Sequence, residues 1–306
     1  MKKLVKKIVL FIIPILSIFV IFELFYKFIP NDYSYKYEIT PQKFEDTEVL
    51  VFGNSHTFYG LNPTYFSKPT YSLAFVSQSL HFDQLIFDKY IDSFKKLKYV
   101  VLHIEYASLS ERIDNEDSTW RRYYYQYYLH LDVPTISKLD GTKYFLSSTR
   151  NFNTNIKILK RYFSEGSIVD CDSNGFGINY TKDKKVPLLK EVAIQRAAAV
   201  EDHLMDFSDN IARVQSMIDK CKSKNIQVIL LTMPVSNYFY EAVDAIKLAK
   251  IQKSCLDFKQ NNSNVSYLNL FTDTRFTNND FFDADHLHTD GARKASLIVN
   301  EFIRTH

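Results

Sequence analysis

The 306-residue sequence contains few cysteines and few glycines, and it has no repeat or low-complexity tract. Cys171, Cys221 and Cys255 are odd in number and lack the close spacing of metal ligands. They therefore predict neither a zinc site nor a disulfide framework. Only 7 glycines are present, so a glycine here is expected to mark a backbone position with a steric requirement.

An excess of charge is also absent. The formal net charge is +3, and Lys2, Lys3, Lys6 and Lys7 carry positive charge at the start of the chain, so the remainder is close to neutral. This balance argues against a nucleic-acid-binding protein. With 46% hydrophobic and 24% charged residues, the chain is a folded globular protein with room for one sizeable α/β domain with a lid, or for two small domains.

Residues 8–26 form an apolar run that carries a single charge, Glu23. A helix of this length approaches the ~30 Å of a bilayer's hydrocarbon core, so we predict a transmembrane anchor with a short cytoplasmic tip over 1–29. A cleavable signal peptide is the alternative, but the run exceeds the usual signal core and no small-residue cleavage site follows it. The lysines before the run predict a cytoplasmic N-terminus and an extracytoplasmic domain.

The remainder divides into a tether and a domain. Residues 30–46 contain Pro30, Pro41 and many polar side chains, which is typical of a linking segment. We predict a tether there and the folded domain at 47–306. A long excursion at about 107–187 is too long for a loop and is predicted to hold helices that act as a lid or cap.

Short apolar runs in this domain are typical of buried parallel strands. They lie at 48–53, 70–74, 98–104, 226–232 and 265–270. Stretches with helical spacing lie at 78–96, 188–223, 237–260 and 290–304. This alternation predicts an α/β fold with a doubly wound five-stranded parallel sheet in the flavodoxin-like order 2-1-3-4-5.

The first predicted strand runs into Gly53, Asn54 and Ser55 before a predicted helix. A serine at the carboxyl end of a strand can expose its hydroxyl on a sharp turn and aim its own N–H at a developing oxyanion. By itself such a turn is also a common cap of a helix, so a second element is needed.

That element lies before the last helix, in the segment 281–291, where Asp283 precedes His286 by three residues. One loop turn can then present both side chains, with the carboxylate orienting an imidazole that deprotonates the serine. The frame shifted by two residues, Asp285 with His288, fits the same pattern. A polar helix cap is the alternative for the isolated segment.

Together the two elements resemble those of the SGNH hydrolase superfamily (GDSL-like esterases and acetyltransferases), which has a Gly-Asp-Ser turn after strand one and Asp-x-x-His before the terminal helix. The resemblance covers about 46–106 and 224–304. It implies Ser55 as nucleophile, His286 as base and Asp283 as its partner, and it favours this frame over Asp285 and His288.

Three positions depart from the family's pattern. Asn54 stands where Asp is usual and can support the turn by side-chain hydrogen bonds. Ser77 stands where a glycine usually donates its N–H to the oxyanion, a role that survives provided the residue need not adopt a positive φ. The family's Asn donor after strand three is missing, which leaves Ser108, Tyr106 or a lid residue to replace it; Glu105 is interpreted as a satisfied strand-end carboxylate.

With its N-terminal anchor, the chain looks most like the cell-envelope members of the superfamily, which act beside membrane-bound O-acyltransferases. The resemblance implies a single-pass protein of a bacterial inner or cytoplasmic membrane that hydrolyses or transfers O-acyl, chiefly O-acetyl, groups of an envelope polysaccharide. Its implied partners are this glycan, the membrane and a membrane-bound O-acyltransferase. The alternative is a non-catalytic scaffold that binds glycan or such an acyltransferase.

Two further segments have two interpretations each. Residues 120–128 combine Trp, Arg and Tyr and are either a platform for a sugar or anionic polymer or, as we favour, aromatic packing of the cap onto the sheet. Asp170, Asp172 and Asn174 match the first half of a calcium loop, but Thr181 stands at the closing Glu position, so an Asx-rich surface turn is the default. No cofactor is otherwise expected.

Overall fold

The structure is a computed structural model that describes residues 1–112 and 119–305. Residues 113–118 of the predicted insertion lie outside this described part. The chain forms two compact units. The first comprises Met1–Glu38 and Glu116–Val169, and the second comprises Ile39–Asn115 and Asp170–His306.

The second unit is built around a five-stranded sheet in which every neighbouring pair is parallel. Its strands are β1 (Val49–Phe52), β2 (Thr70–Ser72), β3 (Tyr99–His103), β4 (Gln227–Thr232) and β5 (Val265–Asn269). The spatial order β2-β1-β3-β4-β5 confirms the predicted flavodoxin-like order, and each strand lies within its predicted apolar run.

Helices of the same unit connect and cover the strands. They are α3 (Ser55–Gly60), α4 (Leu80–Tyr90), α7 (Lys190–Val200), α8 (Ser208–Ser223), α9 (Asn237–Tyr240), α10 (Ala245–Asn261) and α11 (Thr289–Thr305). Short 3-10 turns lie at Thr40–Lys43, Pro63–Tyr65, Lys182–Lys184 and Asn278–Asp280.

Helices cover both faces of the sheet, which explains why its strands read as continuous apolar runs. Alternate residues of a strand point to opposite faces. Val49 and Val51 pack in one buried cluster with Ala295 and Val299 of α11. On the other face, the ring of Phe52 contacts Phe87 of α4, with 5.9 Å between the ring centroids.

The predicted helix at 188–223 is wrong as a single element, because the chain leaves the helical path between α7 and α8. Glu201 and Asp202 in this break both bind the buried ammonium of Lys247, at 3.0 and 2.5 Å. His203 beside them has a positive φ of 55°, which a continuous helix would not permit. A buried ion pair thus overrides local helical periodicity.

The first unit holds α1 (Lys2–Phe28), α2 (Asp32–Ile39), α5 (Thr119–Tyr128) and α6 (Phe152–Glu165), with 3-10 turns at Gly141–Tyr144 and Leu146–Thr149. α1 is long and apolar enough to cross a membrane, with a mean hydropathy of 2.9 over its best window. The one charge within its apolar run is satisfied, because the Glu23 carboxylate accepts the backbone N–H groups of Leu146 and Ser147 at 2.9 and 3.0 Å.

The predicted division into anchor, tether and hydrolase domain stays a prediction, but two of its segments look different in the structure. Residues 30–46 include α2 and a 3-10 turn, because Asn31 caps α2 by accepting the N–H groups of Tyr33 and Ser34. The insertion predicted at 107–187 is divided between the units, with Glu116–Val169 in the first and Asp170 onward in the second.

Tyrosines of the segment 120–128 are mostly packed inside the first unit. Tyr123, Tyr124, Tyr125 and Tyr128 are all buried, and Trp120 lies beneath the guanidinium of Arg150, 3.5 Å from the ring centroid. These contacts show aromatic packing within the first unit, and packing of the segment onto the sheet stays a prediction.

Candidate active site

The turn that carries Ser55 depends on a glycine before it. Gly53 has a φ of +130°, and a Cβ at this position would lie 2.5 Å from Cβ of His103. Only glycine meets both conditions. Asn54 then caps α3, because its Oδ1 accepts the backbone N–H of His56 at 3.0 Å. Ser55 is therefore the first residue of a helix, where backbone N–H groups have no acceptor within the helix.

A buried carboxyl group of α4 supports the same turn. Asp83 Oδ1 accepts the N–H of Gly53 at 3.0 Å and the side-chain amide of Gln78 at 2.6 Å. Burial raises the pKa of Asp83 to about 7, although both hydrogen bonds oppose the rise. The sequence analysis missed both residues, because nothing in the local pattern indicates that α4 reaches back to the end of β1.

The structure brings together the three residues predicted to form a triad. Ser55 Oγ lies 2.8 Å from Nε2 of His286, although the two residues are 231 positions apart in sequence. On the other side of the ring, Nδ1 of His286 lies 3.0 and 3.1 Å from the two carboxylate oxygens of Asp283. A serine, an imidazole and a carboxylate in this order form the relay that activates a serine nucleophile.

The loop before α11 holds this geometry through its backbone. Phe281 and Leu287 form an antiparallel bridge, and the N–H of Phe282 donates to the carbonyl of His286 at 2.8 Å. Asp283 Oδ1 also accepts the backbone N–H of His286 at 2.8 Å. The carboxylate is thus anchored to the same residue whose ring it orients.

His288 of the alternative frame has a different position. It is buried, and its Nδ1 accepts the backbone N–H groups of Asp290 and Gly291 at 3.1 and 3.4 Å. Its Nε2 contacts the carbonyl of Asn279. Nδ1 therefore caps the start of α11, and Nε2 joins this residue to the 3-10 turn at Asn278–Asp280.

A second layer of charge lies behind the triad. Asp285, the other member of the alternative frame, has Oδ1 at 3.3 Å from His286 Nδ1 and Oδ2 at 3.3 Å from His56 Nε2. Arg196 of α7 donates to Asp285 Oδ2 at 2.9 Å. The opposite nitrogen of His56 lies 2.9 Å from Glu105. His286, Asp285, His56, Glu105 and Arg196 thus form one connected network of acidic and basic side chains.

Electrostatics follow from this arrangement. Burial disfavours the charged form of His286, but the carboxylates of Asp285 and Asp283 outweigh it and raise the pKa of the imidazole. Burial likewise opposes ionisation of Glu105, yet the neighbouring His56 lowers the pKa of that carboxyl to about 2. The His56 ring also stacks on His286, with centroids 4.5 Å apart and planes 13° apart.

Glu105 and His56 show what the sequence reasoning left out. Glu105 was interpreted as a satisfied strand-end carboxylate, and its partner is now identified as the residue that directly follows Ser55. One signal was available, since His56 and Glu105 both follow strands whose carboxyl ends meet at one edge of the sheet. Arg196 gave no signal, because it lies within the predicted helix at 188–223, where no motif marks it.

The residues predicted to donate to the oxyanion differ in backbone conformation and in hydrogen bonding. Ser77 adopts a φ of 54°, so the condition that it need not take a positive φ does not hold; a non-glycine residue there costs about 1–2 kcal/mol. Ser108 accepts the N–H of Glu105 at 2.9 Å through its hydroxyl oxygen, which closes a local turn. Tyr106 donates its hydroxyl to Glu201. The oxyanion roles of Ser55, Ser77 and Ser108 stay predictions.

Three aromatic rings form a stack beside the imidazole of His286. The rings of Tyr59 and Tyr180 are 3.7 Å apart and nearly parallel, and Phe282 stacks on Tyr180 at 4.0 Å. Tyr180 meets the ring of His286 edge-on at 5.4 Å. Tyr180 and Phe282 are only partly buried, so this stack lines the site with aromatic surface that a ligand can reach.

Potential metal ligands also meet in this region. Two groups have donor atoms within 4.8 Å of one another, His56 with His103 and Glu105, and His56 with Asp285 and His286. The hydrogen bonds described above already engage His56, Glu105, Asp285 and His286, and the Arg196 guanidinium next to Asp285 disfavours a cation. Among the described side chains, His103 Nδ1 is buried without a hydrogen-bond partner.

The predicted calcium ligands form an Asx-type turn. Asp172 Oδ1 accepts the backbone N–H groups of Asn174 and Phe176 at 2.9 and 3.0 Å. Asn174 Oδ1 accepts the ammonium of Lys43 at 3.0 Å, and Asp170 accepts the side-chain amide of Asn179. Protein donors thus engage the oxygens that a calcium ion would need, and calcium binding stays the untested alternative to the predicted Asx-rich turn.

No protein-family model matches the sequence, and no curated protein matches it either. The sheet order, the serine turn after β1 and the Asp-x-x-His segment before α11 instead decide the fold. The chain has an SGNH-hydrolase-like fold.

Solved structures provide distant similarities. The chain is similar to a candidate acylhydrolase from Bacteroides fragilis, with 12% identity, a TM-score of 0.43, and coverage of 88% of this chain and 95% of that one. A GDSL-like lipase from Bacteroides thetaiotaomicron has 12% identity and a TM-score of 0.41, with coverage of 90% of this chain and 100% of that one. A candidate platelet activating factor from Streptococcus pneumonia has 10% identity and a TM-score of 0.44, with coverage of 96% of this chain and 99% of that one. These values carry no information about the reaction.

Proposed function

We propose that this chain is a serine-dependent acyl-ester hydrolase or O-acyltransferase that acts on O-acyl, chiefly O-acetyl, groups of a cell-envelope polysaccharide. The observation that carries the proposal is the contact of Ser55 Oγ with His286 Nε2 at 2.8 Å, with Asp283 on the opposite ring nitrogen at 3.0 Å. A distance of this kind is the geometric requirement for a general base.

The reaction follows from these atoms. His286 Nε2 takes the hydroxyl proton of Ser55 while Oγ attacks the carbonyl carbon of the ester. The tetrahedral intermediate collapses, the C–O bond to the sugar breaks, and His286 returns the proton to the departing sugar oxygen. The acyl group is then attached to Ser55. Attack by water gives hydrolysis, and attack by another sugar hydroxyl gives transfer, in each case with His286 as base.

Asp283 and Asp285 have different parts in this scheme. Asp283 contacts Nδ1 through both oxygens and fixes the tautomer in which Nε2 is the acceptor. Asp285 lies farther from Nδ1 and is shared with His56 and Arg196. Both carboxylates stabilise the imidazolium that forms when Ser55 loses its proton.

Support for a glycan substrate comes from the aromatic stack beside His286. Aromatic faces provide apolar surface for the C–H face of a pyranose ring, and Tyr hydroxyls provide hydrogen bonds. Tyr180 and Phe282 are partly exposed within contact distance of the catalytic loop. An envelope location is proposed from α1, with a bacterial inner or cytoplasmic membrane as its site and the domain on the extracytoplasmic side. A membrane-bound O-acyltransferase is the proposed partner.

One feature favours a second candidate, a non-catalytic scaffold that binds glycan or such an acyltransferase. The Asn that donates to the oxyanion in related folds is absent, and losing one such donor costs about 10²–10³ in rate. The intact contact between Ser55 and His286 argues for catalysis.

Activated short-chain esters offer the first test, with the full chain in detergent. We expect acyl release that Ser55→Ala reduces by on the order of 10⁴-fold or more, since removing the nucleophile leaves only binding and the oxyanion site. The matched control is Ser67→Ala, an exposed serine that binds Asn300. Equal activity of the wild-type chain and Ser55→Ala would exclude the proposed nucleophile.

Hydrolysis and transfer separate in a second assay. The chain is incubated with an acyl donor, with and without de-O-acetylated glycan from the native cell surface. New glycan esters indicate transfer, and free acid alone indicates an esterase. If neither product forms and Ser55→Ala leaves surface acylation unchanged in cells, the scaffold replaces the enzyme as the function.

A further inference from the structure

Helix α6 of the first unit has an apolar stripe, exposed at its two phenylalanines, that the proposed chemistry does not use. Phe152, Ile156, Leu159 and Phe163 follow one another at spacings of four, three and four residues, which places them on one side of a helix. Phe152 and Phe163 are 65% and 76% exposed. A contiguous apolar surface of this kind marks an interaction site.

The other sides of α6 have different environments. Asn155 is buried, where its Oδ1 accepts the hydroxyl of Tyr26 at 2.6 Å and its amide donates to the carbonyl of Ser147 at 2.8 Å. Lys157, Lys160 and Arg161 lie on the side away from Asn155. One face is thus packed, one is apolar and one is cationic, which is the division typical of a helix at a membrane interface.

Two ring contacts give the direction of α6 relative to α1. Phe152 meets Phe22 with centroids 6.0 Å apart, and Tyr162 meets Phe25 at 5.5 Å. Along α6 these contact points are about 15 Å apart, whereas along α1 they are only about 4.5 Å apart, at 1.5 Å per residue. The helices therefore cross steeply. When α1 stands along the bilayer normal, α6 lies close to the bilayer plane.

The sequence of α1 also indicates the depth in the bilayer at which the two helices cross. Its exposed apolar side chains run from Leu4 to Leu24, with Phe28 exposed beyond them, and the crossing at Phe22 and Phe25 lies at the C-terminal end of this run. Glu23 between these rings is buried and binds two backbone N–H groups of the first unit, which fixes this level of α1. The crossing thus lies where the hydrocarbon region is expected to end.

We propose that α6 is an interfacial helix, whose stripe of Phe152, Ile156, Leu159 and Phe163 inserts among the lipids beside α1. Lys157, Lys160 and Arg161 then face the anionic headgroups. The partner is the lipid surface itself, because the stripe is continuous with the exposed apolar surface of α1 through Phe22. The inference rests on the proposed anchoring by α1 and is independent of the proposed reaction. It gives the first unit two attachments to the bilayer and a defined orientation on it.

Fluorescence depth measurements on the full chain test this proposal. The chain is reconstituted in vesicles of phosphatidylcholine and phosphatidylglycerol whose acyl chains carry bromine at defined depths. Trp120 is the only tryptophan, so Trp120→Phe provides the background. The reporters are Phe152→Trp and Phe163→Trp. Lys157→Trp is the matched control on the cationic side of the same helix, and Phe11→Trp reports on α1.

We expect bromolipids to quench both α6 reporters at a similar depth, about 5–10 Å inside the headgroup boundary. Phe11→Trp should be quenched at greater depth, and Lys157→Trp should be quenched by aqueous iodide. Quenching of Phe163→Trp by iodide and not by bromolipid overturns the proposal, while protection from both indicates a protein partner and also overturns it.

Two controls keep the outcomes separate. If Phe11→Trp escapes bromolipid quenching, the anchoring fails and α6 insertion fails with it, whereas ester hydrolysis by the same sample reports on the reaction alone. If Trp120→Phe lowers the yield of folded protein, the same reporters are made in the native chain and the Trp120 emission is subtracted.

Discussion

His286 and Lys247 are both buried side chains held between two carboxylates of the second unit. Nδ1 of His286 lies 3.0 Å from Asp283 and 3.3 Å from Asp285. Nζ of Lys247 lies 3.0 Å from Glu201 and 2.5 Å from Asp202. The two groups differ on the side away from these carboxylates. His286 presents its second nitrogen, Nε2, to Ser55, whereas Nζ of Lys247 lies 5.1 Å from the ring centroid of Tyr106.

The comparison shows that a buried cation between carboxylates does not by itself indicate chemistry. The ammonium of Lys247 donates to its two carboxylates and has no acceptor, so this contact holds the three groups in place. Histidine has two nitrogens with separate partners and titrates near neutral pH. One arrangement can therefore move a proton, while the other joins α10 to the break between α7 and α8.

The largest effect expected from this comparison separates the two histidines of the last loop. His286→Ala should lower kcat/KM for an activated ester by on the order of 10³-fold or more, because no base remains for Ser55. His288→Ala should change it little and instead lower the free energy of unfolding by about 1 kcal/mol through loss of a helix cap. The reverse order of the two rate effects would show that Asp285 and His288 are the active frame.

A smaller effect is expected at the structural site. Lys247→Met should lower the free energy of unfolding by about 3–5 kcal/mol, since it leaves two carboxylates without their buried partner. Lys253→Met is the matched control, because Lys253 forms an exposed pair with Asp257 on the same helix; it should cost at most about 0.5 kcal/mol. Denaturant unfolding measures both. Similar losses in both variants would contradict a structural role of the buried pair.

The smallest expected effect is a shift in the pH dependence of catalysis. Because its two carboxylates raise the pKa of His286, the ring stays protonated to higher pH than an ordinary histidine. The base is active only when neutral, so kcat/KM should rise with pH through a midpoint above about 6.5, the ordinary pKa of histidine.

Asp285→Asn sharpens this measurement. Removing one carboxylate should move the midpoint to lower pH while Ser55 and Asp283 remain in place. Lys247→Met should leave the midpoint unchanged, which separates a nearby charge from a general loss of stability. If Asp285→Asn does not move the midpoint, this carboxylate does not contribute to the raised pKa of His286.

Much of the fold could be predicted because each strand can be recognised from the apolar character of its own few residues. Val49–Phe52 and Gln227–Thr232 are continuous apolar runs, and apolar runs between helical stretches predict a parallel sheet covered on both faces. Helix boundaries were less predictable. The break at 201–207 depends on Lys247, which lies some forty residues along the chain, and no local period records that contact.

The candidate site shows the same division. Ser55, Asp283 and His286 were identified from two short motifs, and the structure places them in contact, while their catalytic roles stay predictions. Asp83, His56 and Arg196 were missed as parts of the site, because each acts through a partner from a distant part of the chain. The positive φ of Ser77 could not be predicted either, because non-glycine residues rarely adopt it.

By itself the sequence determined the order of the elements, the apolar character of α1 and the presence of a serine turn after a strand, because these depend on neighbouring residues and on local spacing. Only the tertiary structure decided which histidine faces Ser55 and which closes α11, since both lie in one short loop. It also decided that Glu23 of α1 binds backbone N–H groups near residue 146. Hydrogen bonds and packing between distant segments have no local signature, so they arise only when the chain has folded.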